Sequence, residues 1–107
     1  MLRIVDDVVA LIGDVAPVAE AISRKDADLA RQLRSALSSV ALNIAEGSDQ
    51  RGARRANHYA IALGSARESH TAIRAAVAWR YVPMPDAHVL DRFDKIIGTL
   101  TNLVRTR

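Results

Sequence analysis

The chain contains no cysteine in its 107 residues, which removes disulfides, thiolate metal sites and cysteine nucleophiles together. Three prolines and five glycines are too few for a loop-rich β fold or a disordered segment. Aromatic residues make up 4%, which leaves little ring surface for stacking on bases. No apolar run approaches the ~20 residues that a membrane-spanning helix requires. Asp6 and Asp7 interrupt any apolar signal segment near the amino-terminal end. A cytoplasmic protein without membrane contact is the expectation. Negative charge is scarce in one region: residues 51–80 carry Arg51, Arg54, Arg55, Arg67, Arg74 and Arg80 against Glu68 alone.

What the chain does have is helical periodicity. Half of its residues are apolar and a quarter are charged, the composition of a globular protein, and the length suits one domain over residues 1–107. Val5, Val8, Ile12, Val15, Ala19 and Ile22 step by threes and fours along one face of a first helix, with a bend expected near Gly13 and Pro17. Asp26 or Asp28 caps a second helix, whose inner face is Leu29, Leu33, Ala36, Leu37, Val40 and Ile44. Beside that face runs a polar line, Gln32, Ser39, Asn43 and Glu46, expected to bond a neighbouring helix at the half-buried boundary. Gly47 then fits the residue just past the helix end, where positive φ is common.

A third helix is expected from about residue 53 to 81, stopped by Pro83 and Pro85. It shows two faces. Tyr59, Ala62, Ala66, Ile73 and Val77 form one, while Ile61, Gly64, Ser65, Glu68, Ala72, Ala75 and Trp79 form the other. A helix apolar on both sides needs a second partner, and Leu42 also points away from the core, so a homo-oligomer is expected. A fourth helix opens after Met84, Pro85 and Asp86 and buries Val89, Leu90, Phe93, Ile96, Ile97, Leu100 and Val104.

Residues for chemistry are sparse. His58, His70 and His88 lack the short one-face spacing of zinc ligands, so neither metal nor cofactor is expected. No serine has an evident base and no Gly-x-Ser-x-Gly elbow occurs, so catalytic residues are not assigned and a non-enzymatic role is expected. Catalysis would require Glu46, Glu68 and His58 or His70 of different chains to converge on a ligand. The net charge is +3 and the pI is near 10.0. The arginines of residues 51–80 read in two ways. They are good helix formers that solvate a surface, or they meet a polyanion. In the second case Arg51, Arg54, Arg55, Arg67 and Arg74 are the candidates for phosphate contact. An acidic protein partner on the same basic surface is the alternative.

The order Gln-Leu-Arg at 32–34, Ser39, NIAEG at 43–47 and IALGSARE at 61–68 resembles the four-helix proteins named for intervening sequences in 23S ribosomal RNA genes. Matching positions include Gln32, Ser39, Asn43, Glu46, Gly47, Gly64, Ser65, Glu68 and Thr71. The family's Gly-Arg after NIAEG and its acid with aromatics before the third helix are replaced here by Asp49-Gln50, then Arg54, Arg55, Asn57 and His58. The resemblance implies an all-α, up-down-up-down four-helix bundle and a ring-shaped homo-oligomer, with a pentamer favoured. It also implies, through a related branch of retroelement accessory proteins, nucleic acid and a reverse transcriptase as possible partners. The shared positions Gln32, Ser39, Asn43, Glu46, Gly47, Gly64, Ser65 and Glu68 are expected to form a structural polar flank between the second and third helices.

Overall fold

A computed structural model describes residues 3–105 of the chain. Four helices follow one another, α1 (Arg3–Ser23), α2 (Ala27–Ser48), α3 (Gly52–Ala78) and α4 (Ala87–Arg105), and no strand occurs among the described residues. Each helix packs on the next and α4 closes on α1. The result is an all-α four-helix bundle around one apolar core to which every helix contributes.

The helix ends follow from local chemistry. Asp26 accepts a 3.0 Å bond from the Leu29 N–H and so caps α2, satisfying one of the donors left open in a first turn. α1 runs unbroken through Pro17. Pro17 and Gly13 are both exposed, so water can serve the carbonyl that proline leaves without a partner. Gly52, at φ 57°, opens α3 in the left-handed region. Past the end of the third helix and its C-cap Trp79, Arg80 is also left-handed at φ 66°, and Tyr81 N–H returns to the Ala76 carbonyl at 2.9 Å, an ending that usually employs glycine.

The core is close to the stripes expected from periodicity, with shifts that the packing explains. On α1 the buried residues are Ile4, Val8, Leu11, Val15, Ala19 and Ile22, while Val5 and Ile12 are half-buried. The stripe is turned because α1 faces both α2 and α4. On α3, Leu63, Ser69 and Ala76 join the buried face. Ser69 is fully buried, yet its hydroxyl donates to the Ser65 and Ala66 carbonyls at 2.9 and 3.0 Å, so no orphan group results. The two-faced reading of α3 is corrected in part: Ser65 and Ala72 are half-buried toward the core and α2, whereas Ile61, Gly64, Glu68 and Trp79 are exposed.

Gly47 differs from expectation most clearly. It lies inside α2, buried, without positive φ. A Cβ there would meet the Tyr59 ring at 2.7 Å and the His58 Cβ at 3.1 Å. The glycine is required by the close approach of α3.

On the other side of the bundle α1 and α4 are joined by charge. Arg92 Nη1 donates to Asp14 at 2.7 Å, with His88 Nε2 3.9 Å from the same carboxylate, and Lys95 Nζ lies 3.5 Å from Asp7.

Candidate nucleic-acid interface

The seam between α2 and α3 is polar but uncharged at its centre. The Ser39 and Ser65 hydroxyls bond at 2.9 Å across it. Asn43 Nδ2 donates to the Ser39 carbonyl at 2.9 Å and lies 3.1 Å from the Ser39 hydroxyl. Since the carbonyl can only accept, the Asn43 amide nitrogen faces Ser39 and its Oδ1 faces His58, 3.0 Å from Nδ1. His58 therefore carries its proton on Nδ1 and donates it to Asn43. Glu46 lies at the outer end, its Oε2 3.6 Å from His58 Nδ1.

Other members of the expected flank lie elsewhere. Gln32 is exposed and donates to Asp28 on its own helix at 2.9 Å. Glu46 and Glu68, expected in the structural polar flank, are both exposed. Gly64 is exposed too, and a Cβ there would meet nothing within 4 Å. The seam's small cross-section explains the difference: where the backbones approach closely enough to require Gly47, there is room for hydroxyls and one amide but not for carboxylates. Gln32 and Glu68 instead line an open cavity of about 350 Å³ over the seam, which also touches Arg31 and Ser35.

The arginines follow a different pattern. Arg24 and Arg34 both reach Glu20, at 3.9 and 3.2 Å, Arg31 pairs with Asp28, and Arg92 pairs with Asp14. Arg51, Arg54, Arg67, Arg74 and Arg80 are exposed and, among the described residues, have no acid within 4.0 Å. Arg55 also lacks an acid, but its guanidinium donates to the Gly47 and Ser48 carbonyls, both at 3.3 Å, which answers the open end of α2. The five candidate arginines do not form one cluster. Arg51, Arg54 and Arg55 gather at the start of α3, while Arg67 lies about 18 Å further along the helix axis than Arg55, and Arg74 about 28 Å, at 1.5 Å per residue.

The start of α3 adds to the positive potential. Its N-cap, Arg51, makes no side-chain capping bond and no acid occupies the first turn. The open N–H groups and the positive end of the helix dipole therefore stand beside Arg51 and Arg54, and both attract anions.

The family model for the 23S rRNA-intervening sequence protein matches residues 2–102. The chain belongs to that family. No curated protein and no solved structure matches it. Among the described residues, no group of three or more His, Asp or Glu is placed to hold a metal ion, and no helix is long and apolar enough to cross a membrane.

Sequence reasoning missed His58 as the third-helix partner of Asn43, and Tyr59 as the reason for Gly47. Both depend on the register between two helices, for which a single chain carries no signal. It also missed the pairing of Trp79 with Tyr81, whose rings stack with centroids 6.3 Å apart and an 18° angle between planes. Two residues apart on a helix they would face different directions. The left-handed Arg80 between them brings the rings together.

Proposed function

We propose that this protein is a non-enzymatic helical-bundle module that assembles as a ring and holds nucleic acid by its phosphates through the arginines of α3. The observation that carries this reading is the imbalance of ion pairing. Arg24, Arg31, Arg34, Arg92 and Lys95 each have an acid within 4.0 Å, whereas the exposed arginines of residues 51–80 have none. Desolvating an unpaired guanidinium against a phosphate gives up no internal ion pair, and counterion release from the polyanion supplies the driving force. Arg51 and Arg54 at the uncapped start of α3 are the strongest contributors, with Arg55 secondary because the end of α2 already engages it.

The experiment is fluorescence anisotropy of a labelled nonspecific oligonucleotide at ~50 mM salt, where phosphate contacts are strong. Binding by the natural chain and its loss on changing Arg51, Arg54 and Arg55 to Ala support the reading. No binding by the natural chain at that salt overturns it.

Leu42 and Ile61 are 65% and 43% exposed, and that apolar surface favours a protein contact as well. We assign it first to another copy of the chain in a ring, the family resemblance favouring five, with the helices in up-down-up-down order. Light scattering at the 11.6 kDa of one chain would contradict the assembly. An acidic protein partner, or a reverse transcriptase as the family resemblance implies, is the second reading of the basic surface, and recovery of a defined protein after nuclease treatment would favour it. With no cysteine to protect, a cytoplasmic setting suits either role.

A further inference from the structure

Trp79 is 69% exposed, more than any other large apolar side chain among the described residues. It is also the chain's only tryptophan. Exposing an indole to water costs free energy that an inward rotamer or a small side chain would avoid, and two features hold this one in place. Tyr81 stacks on one face of the ring, and Tyr81 is itself anchored by its hydroxyl donating to Asp26 Oδ2 at 3.3 Å. The outer face of the indole is thus presented on a fixed backing. Between the two aromatics Arg80 holds the left-handed conformation, which is unfavourable for a residue with a Cβ.

Along α3 before this ring stand Arg67 and Arg74, exposed and without acid partners among the described residues, seven residues apart and so on nearly the same side of the helix, with Trp79 roughly a third of a turn around from them. Thr71, between the two arginines, and Ala78, between Arg74 and Trp79, are small and exposed, and let a backbone approach closely. Arg80 is exposed and unpaired beside the ring. Unpaired guanidinium groups on one helix, close in sequence to an exposed, backed aromatic face, are the chemistry that recognises a single-stranded nucleic acid: cations for its phosphates, a ring for an unstacked base. A duplex keeps its bases stacked on one another and offers the ring nothing comparable.

We infer that α3 binds single-stranded nucleic acid in preference to duplex, with one base stacked on Trp79 and the adjoining phosphates held by Arg80, Arg74 and Arg67. The inference rests on the reading of α3 as a phosphate-binding surface and adds to it the strand type and the residue that selects it.

The only tryptophan is its own reporter. Titrating the full chain with an unlabelled oligothymidine strand should quench Trp79 emission, while a duplex of equal length quenches it far less. Trp79→Ala should weaken single-strand affinity by roughly 5- to 100-fold, as expected for the loss of one stacked base, and leave duplex affinity within about twofold. Trp79→Phe should restore most of the loss, which a merely structural role for the indole would not predict for binding alone. Oligonucleotide that binds by anisotropy without changing Trp79 emission, together with an unaffected Trp79→Ala variant, overturns the stacking inference and leaves the phosphate reading intact. No binding of either strand type at ~50 mM salt overturns both. Trp79 shielded from acrylamide in the free protein, and exposed when the assembly is diluted to monomers, would show that another copy covers the ring and would also overturn the inference.

Discussion

The two seams on opposite sides of the bundle hold their helices together by different chemistry. Between α1 and α4 the charged groups answer one another: Arg92 with Asp14, Lys95 with Asp7. Between α2 and α3 the contacts are neutral, hydroxyl to hydroxyl and amide to imidazole, and the backbones come close enough to exclude a Cβ at Gly47. The consequence is carried on the outside of α3. A seam closed by serine, asparagine and glycine engages only Arg55 of these cations, through the carbonyls at the end of α2, and leaves the other arginines of residues 51–80 without an acid partner among the described residues. On α4, Arg92 and Lys95 each have an acid partner on α1. Where charge is used inside the fold, and where it is left over, separates the structural side of this molecule from the side that can act.

The largest effect should come from closing the gap at Gly47. Gly47→Ala forces a Cβ against the Tyr59 ring and should lower unfolding free energy by about 1–3 kcal/mol, measured by urea denaturation. Gly98→Ala on α4, where nothing lies within 4 Å, should instead stabilise by about 0.5–1 kcal/mol through helix propensity. Equal responses at the two sites would erase the distinction between the seams. Next in size, Asn43→Ala removes the partner of the His58 Nδ1–H and the bond to Ser39, at a cost of about 1–2 kcal/mol. Smaller again, Arg92→Ala breaks a partly exposed ion pair and should cost under about 1 kcal/mol, with oligonucleotide affinity unchanged. A large loss of binding in that variant would mean that the charged seam also serves the ligand.

The smallest effect concerns the end of the bundle near Trp79. Partial burial, and then the charge and hydrogen bond of Asp26, hold the Tyr81 phenol above its ordinary value of 10.0. A phenol whose folded-state value is raised contributes stability in full below the unfolded value and loses it as pH rises through and beyond 10.0. Thermal unfolding from pH 9 upward should therefore show a small alkaline loss in the natural chain that Tyr81→Phe lacks. Identical profiles would show that the Asp26 contact contributes nothing to stability.

Much of this was legible in the residues themselves. Period alone locates four helices, and the buried faces of α2 and α4 nearly residue by residue, because each has one apolar stripe with polar residues opposite. The faces of α3 are harder to read, since its exposed side sets alanine, glycine and threonine, which hydropathy does not separate from core, among its arginines. Glu46 and Glu68 share a side with Ser39 and Ser65, but a helical flank spans both boundary and surface, and only the distance between backbones decides which residues are covered. Gly47 looked like a helix terminator for the same reason: a glycine needed for its neighbour's ring and one needed for its own φ are the same letter. The arginine surplus could be counted in the sequence. Its lack of internal partners could not, because pairing depends on which acids the fold brings within reach.

Contact of phosphate with the arginines of residues 51–80 is the proposal at stake. It is tested most directly by the salt dependence of oligonucleotide affinity for the natural chain and for the variant with Arg51, Arg54 and Arg55 changed to Ala. The account predicts a linear fall of log affinity with log salt for the natural chain, and a slope shallower by about 2–3 in the variant, near 0.7–0.9 for each phosphate contact removed. The same slope in both, at any affinity, would contradict it.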